Sequence, residues 1–157
     1  MNWLKTWWPA LAWAVVISGF STGVFTSEHT SRIISPILHW LLPHASIHTL
    51  NRIHHLIRKC GHFTEYFILS LLILRGIRAG RPGSRFAWAL VAIAIVACYG
   101  SLDELHQYFV PGRTAAVGDV LIDTSGGIAA QLVAALLMLW GHVRRKRNEL
   151  PGAQTGA

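Results

Sequence analysis

Tyr99-Gly-Ser-Leu-Asp-Glu-Leu-His-Gln-Tyr-Phe-Val-Pro-Gly-Arg113 emerges from an apolar run that begins at Ala87 and reads as a membrane span as far as Leu102. It sets two carboxylates, an imidazole and a guanidinium directly after the span. Ionisable groups at a membrane boundary are costly unless paired or hydrated, so a cluster of them there marks a functional site. Pro111 lacks an amide donor and Gly112 admits turn geometry, so the pair ends the helix and Arg113 follows the turn.

Composition points the same way. Of 157 residues, 52% are hydrophobic and only 13% charged, with a mean hydropathy of +0.41. Soluble domains carry nearer a quarter charged residues, so the expected class is an all-α membrane protein small enough for one bundle. The net charge of +7 would suggest nucleic acid in a soluble chain. Here the basic residues fill the gaps between apolar runs, the pattern of topology signals and lipid-headgroup contacts, and no nucleic-acid partner is expected. Cys60 and Cys98 have no disulfide or zinc-motif spacing and read as small buried side chains.

Four runs are apolar enough to cross a hydrocarbon core, which needs about 20 residues. They are Trp7–Phe25, Phe63–Ile77, Phe86–Leu102 and Val120–Gly141. The second is short and becomes adequate when its helix starts near Arg58. Between the first two spans, Ser27–Arg58 carries Ile33, Ile34, Ile37, Leu38, Leu41 and Leu42 at helical spacing, broken by Pro36 and Pro43. This predicts one or two short amphipathic helices in the membrane interface, framing a four-transmembrane-helix bundle. The chain thus divides into one transmembrane domain, 1–143, and a basic tail, 144–157, expected to be loosely ordered. Basic residues set orientation. Lys5, the Arg75–Arg85 connection and Arg144–Arg147 hold nine of the fourteen, so both termini are expected in the cytoplasm.

With that topology the start of span two, the end of span three and the start of span four share the extracytoplasmic side. Lys59, His62 and Tyr66 stand at i, i+3 and i+7, stacked on one helix face with Glu65 on its flank. Asp103 stands i, i+3 to His106 and i, i+4 to Gln107, with Glu104 about a third of a turn away. Asp119 sits where it caps a helix start. Asp123, one turn deeper in an apolar span, needs a partner inside the bundle. Gly126 and Gly127 allow another helix to approach closely. Five of the seven acids in the chain, Glu65, Asp103, Glu104, Asp119 and Asp123, lie in these three helix ends.

The blocks Lys59-x-x-His62-x-x-x-Tyr66, Asp103-Glu104-x-x-Gln107-x-Phe109-x-Pro111-Gly112-Arg113 and Asp119-x-x-x-Asp123-x-x-Gly126 together resemble the VanZ-like family. The resemblance covers roughly 59–127, with the first span and the histidine-rich loop similar in layout alone. It implies a small polytopic bacterial membrane protein of the inner membrane, from a family whose founding member is associated with resistance to teicoplanin-type glycopeptide antibiotics. It implies no particular reaction and leaves any cofactor unknown. Asp123 departs from the pattern, since many members carry Asn there.

Three functions fit these residues. The first is an enzyme of the outer leaflet that hydrolyses or transfers a group on membrane lipids or a lipid-linked envelope precursor. Its candidate catalytic residues are His62, Glu65, Asp103, Glu104 and Asp123: His62 or a carboxylate as general base, Asp103 and Glu104 as orienter or acid. Lys59 and Arg113 would clamp an anion, and Tyr66, His106, Gln107 and Asp119 complete the candidate substrate-binding set. In a variant, His62, Glu65, Asp103 and Asp123 hold a divalent metal that activates water. The second function is non-enzymatic binding of a lipid or envelope precursor. The third is a proton-coupled carrier, which with four short spans would require a homo-oligomer.

Overall fold

The computed structural model describes residues 3–22, 27–79, 85–111 and 115–149, and their regular structure is helical throughout. Five helices follow in order: α1 Trp3–Phe20, α2 Ser27–Leu41, α3 Ile47–Arg78, α4 Arg85–Tyr108 and α5 Val117–Glu149. Among the described residues, α3, α4 and α5 are long and apolar enough to cross a membrane. α1 is apolar at its C-terminal half but carries Lys5, Pro9 and several tryptophans, and it falls outside that set.

α3 corrects the expected layout. A new helix was anticipated near Arg58, preceded by interfacial pieces through Ser27–Arg58. The chain instead enters α3 at Ile47, capped by Ser46, whose hydroxyl accepts the Thr49 amide at 3.2 Å. His48 to Arg58 therefore belong to one 32-residue helix, about 48 Å long at 1.5 Å per residue. Its polar first turns look nothing like a span because α2, rather than lipid alone, lies against them, with Leu38 and Leu50 buried. At the far end the basic run was expected to be loosely ordered, yet Arg144 to Glu149 continue α5. Lys and Arg are good helix formers, they complement the negative end of the helix dipole, and no breaker intervenes before Pro151.

Three contacts orient the bundle. Arg58 and Asp119, His62 and Asp123, and Ser70 and Gln131 pair between α3 and α5. Both numbers rise together at a constant offset, so these helices run parallel. α4 returns between them, antiparallel: Gly100 lies against Asp123, and Val96 against Gly127. α1 runs antiparallel to α3, with the Trp13 indole donating to the Glu65 carbonyl at 2.9 Å and Trp7 packed over Gly76. Tyr99 of α4 ties in from the other side, its hydroxyl donating to the Ala14 carbonyl at 2.7 Å.

α5 is built inside out relative to a soluble helix. Asp123, Gly127, Ala130, Gln131 and Ala134 are buried, whereas Leu121, Leu132, Leu136, Leu137 and Trp140 are exposed. Small and polar residues at the helix contact with large apolar ones outside is how helices pack where lipid, not water, surrounds them. The same inversion corrects the expectation for Cys60 and Cys98, which are free thiols on exposed faces. Where the outside is apolar too, a small apolar residue is no marker of the core.

The closest approach is at Gly126, where an added Cβ would collide with the Phe63 carbonyl oxygen of α3, whereas at Gly141 it would meet open space. Backbone cannot yield as a side-chain tip can. Gly126→Ala is expected to lower stability by roughly 1–3 kcal/mol, as overpacking does, and Gly141→Ala to leave it unchanged or slightly raised. Thermal unfolding of the detergent-purified variants checks both.

Candidate functional site

The parallel register of α3 and α5 stacks two ion pairs one helical turn apart. At the helix ends Arg58 Nη2 lies 4.0 Å from Asp119 Oδ2, with both side chains largely covered. One turn deeper, His62 Nδ1 lies 3.2 Å from Asp123 Oδ1. Asp123 is fully buried and the His62 side chain is 11% exposed, so this second pair is screened from solvent and stronger for it. Gly100 of α4 makes room: a Cβ there would stand 3.2 Å from Asp123 Oδ2 and 3.4 Å from the Tyr66 ring. Asp123 and Tyr66 therefore border the same point on α4.

α4 adds three polar side chains on this face. Gln107, fully buried, donates from Nε2 to Asp103 Oδ2 at 2.9 Å and reaches Ser21 Oγ of the chain after α1 at 3.5 Å. Glu104 Oε2 accepts the Ala116 amide at 2.8 Å, which ties the end of α4 to the approach to α5. Asp103 and Glu104 are 7% and 5% exposed, so the two adjacent acids are both inward. Four buried oxygens around this cluster, Tyr66 Oη, Glu104 Oε1, Gln107 Oε1 and Asp123 Oδ2, have no hydrogen-bond partner among the described residues. Unsatisfied buried polar groups are uncommon, and a group of them is where water or a ligand's donors fit.

Beside the upper ion pair opens a cavity of about 310 Å³ lined by His55, Arg58, Lys59, Ala116, Gly118 and Asp119. Two cations and an imidazole face one acid in it. The wall residue Ala116 is the one whose amide holds Glu104, and Arg58 and Asp119 each stand four residues before a member of the His62–Asp123 pair.

Of the residues singled out in the sequence, the fold therefore brings together His62, Tyr66 and Asp123, pairs Asp103 with Gln107, and sets Glu104, Lys59 and Asp119 at the adjoining mouth. The Glu65 main-chain carbonyl accepts the Trp13 indole of α1, and its carboxylate is near enough to His62 and Tyr66 to interact with both electrostatically. His106 is exposed: Asp103, Glu104 and Gln107 take the inward face of α4, and its position falls beyond that arc. Arg113 lies outside the described residues. Among the described residues no three His, Cys, Asp or Glu side chains group as a metal ion needs. The ligand set His62, Glu65, Asp103 and Asp123 does not group in that way among the described residues, where Asp103 is bonded by Gln107 and Asp123 by His62.

Sequence reasoning missed Gly100, Arg58, His55 and the Ala116 amide. Arg58 and His55 were legible, standing one and two turns before His62 on its own helix face. Gly100 was legible only as a small residue one turn before Asp103, and a main-chain amide carries no residue-type signal at all.

The VanZ/LLP1 family model matches residues 6–138, from α1 through most of α5. The chain belongs to the VanZ/LLP1 family. The match takes in the first helix as well as all three motif blocks, a wider span than the motifs alone defined. No curated protein and no solved structure gives a match to set beside it. Within this VanZ/LLP1 chain Asp123 is the residue that His62 engages.

A double-mutant cycle tests that pairing. His62→Ala leaves a buried carboxylate without its partner and is expected to cost of the order of 3 kcal/mol. Asp123→Ala and the double variant close the cycle, with an expected coupling of roughly 0.5–3 kcal/mol between contacting residues. Additive losses in detergent unfolding would show that the two side chains act independently.

Proposed function

We propose that this VanZ/LLP1 chain is a four-span protein of the bacterial inner membrane, both termini cytoplasmic, whose polar site acts on a lipid or lipid-linked envelope substrate by acid–base hydrolysis or group transfer. Through that activity it alters the envelope and the response to glycopeptide antibiotics such as teicoplanin. α1 completes the four spans: it is antiparallel to α3, and its 18 residues reach about 27 Å, close to the thickness of a hydrocarbon core. Nine of fourteen basic residues then lie on the side of the termini, and the polar site faces the other side.

The observation that carries the reading is the His62–Asp123 pair, buried one turn below a cavity with Arg58 and Lys59 in its wall. With Asp123 ionised, His62 Nδ1–H donates to it and Nε2 is left as an acceptor, the orientation of a general base. The cavity cations suit an anionic headgroup, such as a phosphate ester. Water attacking that ester passes its proton to Nε2, and the departing alcohol oxygen takes a proton back from the imidazolium. Asp103, bonded by Gln107, and Glu104, bonded by the Ala116 amide, keep an acceptor surface beside the reacting groups.

Two variants separate chemistry from binding. His62→Asn keeps a donor near the Nδ1 position and removes the base, and Asp103→Asn keeps shape and hydrogen bonding and removes the charge. Both are expected to fold, with stability changed by about 1 kcal/mol or less for Asp103→Asn, whose Gln107 contact survives. Both are expected to abolish the change in teicoplanin sensitivity that the wild-type gene confers. Full function in His62→Asn would replace the enzymatic reading with a lipid- or precursor-binding one. Labelling of a cysteine placed after Arg147 checks the orientation, which a tail reached from outside intact cells would reverse.

A further inference from the structure

We propose a second ligand site at the opposite end of the bundle, which binds an anionic phospholipid with its headgroup at Arg78, Arg85 and His142 and an acyl chain in the groove behind them. This site does not rest on the reading of the His62 cluster. α3, α4 and α5 part there to form a cavity of about 210 Å³, walled by Leu74, Ala89, Ala135, Met138 and Leu139. Along α5 it extends from Gln131 to His142, about 16 Å of helix at 1.5 Å per residue. Its extent along the helix and its aliphatic walls suit one hydrocarbon chain better than a compact polar solute.

The charges at its mouth specify the headgroup. Arg78 comes from the last turn of α3, Arg85 from the first of α4, and His142 from α5. No Asp or Glu is among the described residues lining the groove. Arg78 Nη1 is directed at Met138 Sδ, 3.2 Å away, a weak acceptor for a guanidinium. The first turn of α4 has no acidic residue to meet its amide groups, so the positive end of that helix adds to the field of the arginines. Two guanidinium groups and an imidazole from three helices, converging on an apolar groove, match a phosphate on a hydrocarbon chain. At the deep end Gln131, whose Oε1 is buried without a partner, also lines the groove.

The charges and the groove are separable. Ala135→Phe, at an exposed position on the wall, fills the groove and leaves every charge in place, and Arg85→Gln removes one headgroup contact and leaves the groove open. The full-length protein in detergent micelles, titrated with phosphatidylglycerol and followed by native mass spectrometry, should retain it in preference to phosphatidylcholine. Losing a charge-assisted contact weakens that binding by roughly tenfold or more, and Ala135→Phe weakens it comparably while Arg85→Lys largely preserves it. Phosphatidylglycerol retained undiminished by Ala135→Phe would mean attraction to surface charge without a groove, and would overturn the proposal. So would equal retention of phosphatidylcholine, or displacement of phosphatidylglycerol by inorganic phosphate at matched concentration.

Discussion

The backbone of α5 lies against the backbone of α3 at Gly126, where there is no room for even a methyl group before the Phe63 carbonyl. Two parallel helices so close must put facing side chains into a single register, and the three side-chain pairs across this seam share one offset. It sets Arg58 against Asp119 and His62 against Asp123 at one end, and Ser70 against Gln131 in the middle. The middle contact is the seam's own fastening: Ser70 donates to the Gly127 carbonyl at 3.0 Å and Gln131 donates to Ser70 Oγ at 2.7 Å. In a hydrocarbon surround, where neither group finds water, such contacts hold helices together.

α4 and α1 convert that seam into an enclosure. Val96 sits over Gly127 and Gly100 over Asp123, so α4 covers both the packing contact and the acid with one face. α1 then closes over α3 and α4 through Trp7, Trp13 and Ala14, which pack on the buried cluster of Tyr66, Leu69, Ile73 and Val96. Tyr99 and Trp13 each spend their polar atom on a main-chain carbonyl of the facing helix. The aromatic groups can therefore be inside without leaving a donor unpaired.

How much of this could be read beforehand depended on whether residue type alone carried the constraint. Asp123 was legible because a carboxylate inside an apolar run has no cheap place except against a partner, and Asp103 and Gln107 because i, i+4 spacing fixes a shared face. The apolar runs of α4 and α5 marked themselves as spans. α3 did not reveal its start, because polar turns such as Asn51–Arg58 look like a loop until α2 is known to lie beside them. His106 misled because i+3 and i+4 are both neighbours of Asp103 on a helix, and only the position of the rest of the bundle chooses between them. Pairings such as Glu104 with the Ala116 amide depend on where the chain turns, which residue identity does not encode.

The cluster around Asp123 is a poor device for stability alone. Replacing a buried ion pair by apolar groups of similar shape is often neutral or favourable, whereas each unsatisfied buried oxygen has a desolvation cost of about 1–3 kcal/mol. Here, among the described residues, four such oxygens gather where three helices meet, while the seam toward the other end is fastened by Ser70 and Gln131 and leaves one, Gln131 Oε1. Those two already fasten α3 to α5, so the tethering of the bundle does not call for Asp123, Glu104 and Gln107 to be buried as well. Their retention at one end, beside the cations Arg58 and Lys59, is what a site for an exchangeable polar group requires: acceptors held in place and left open until the group's own donors reach them.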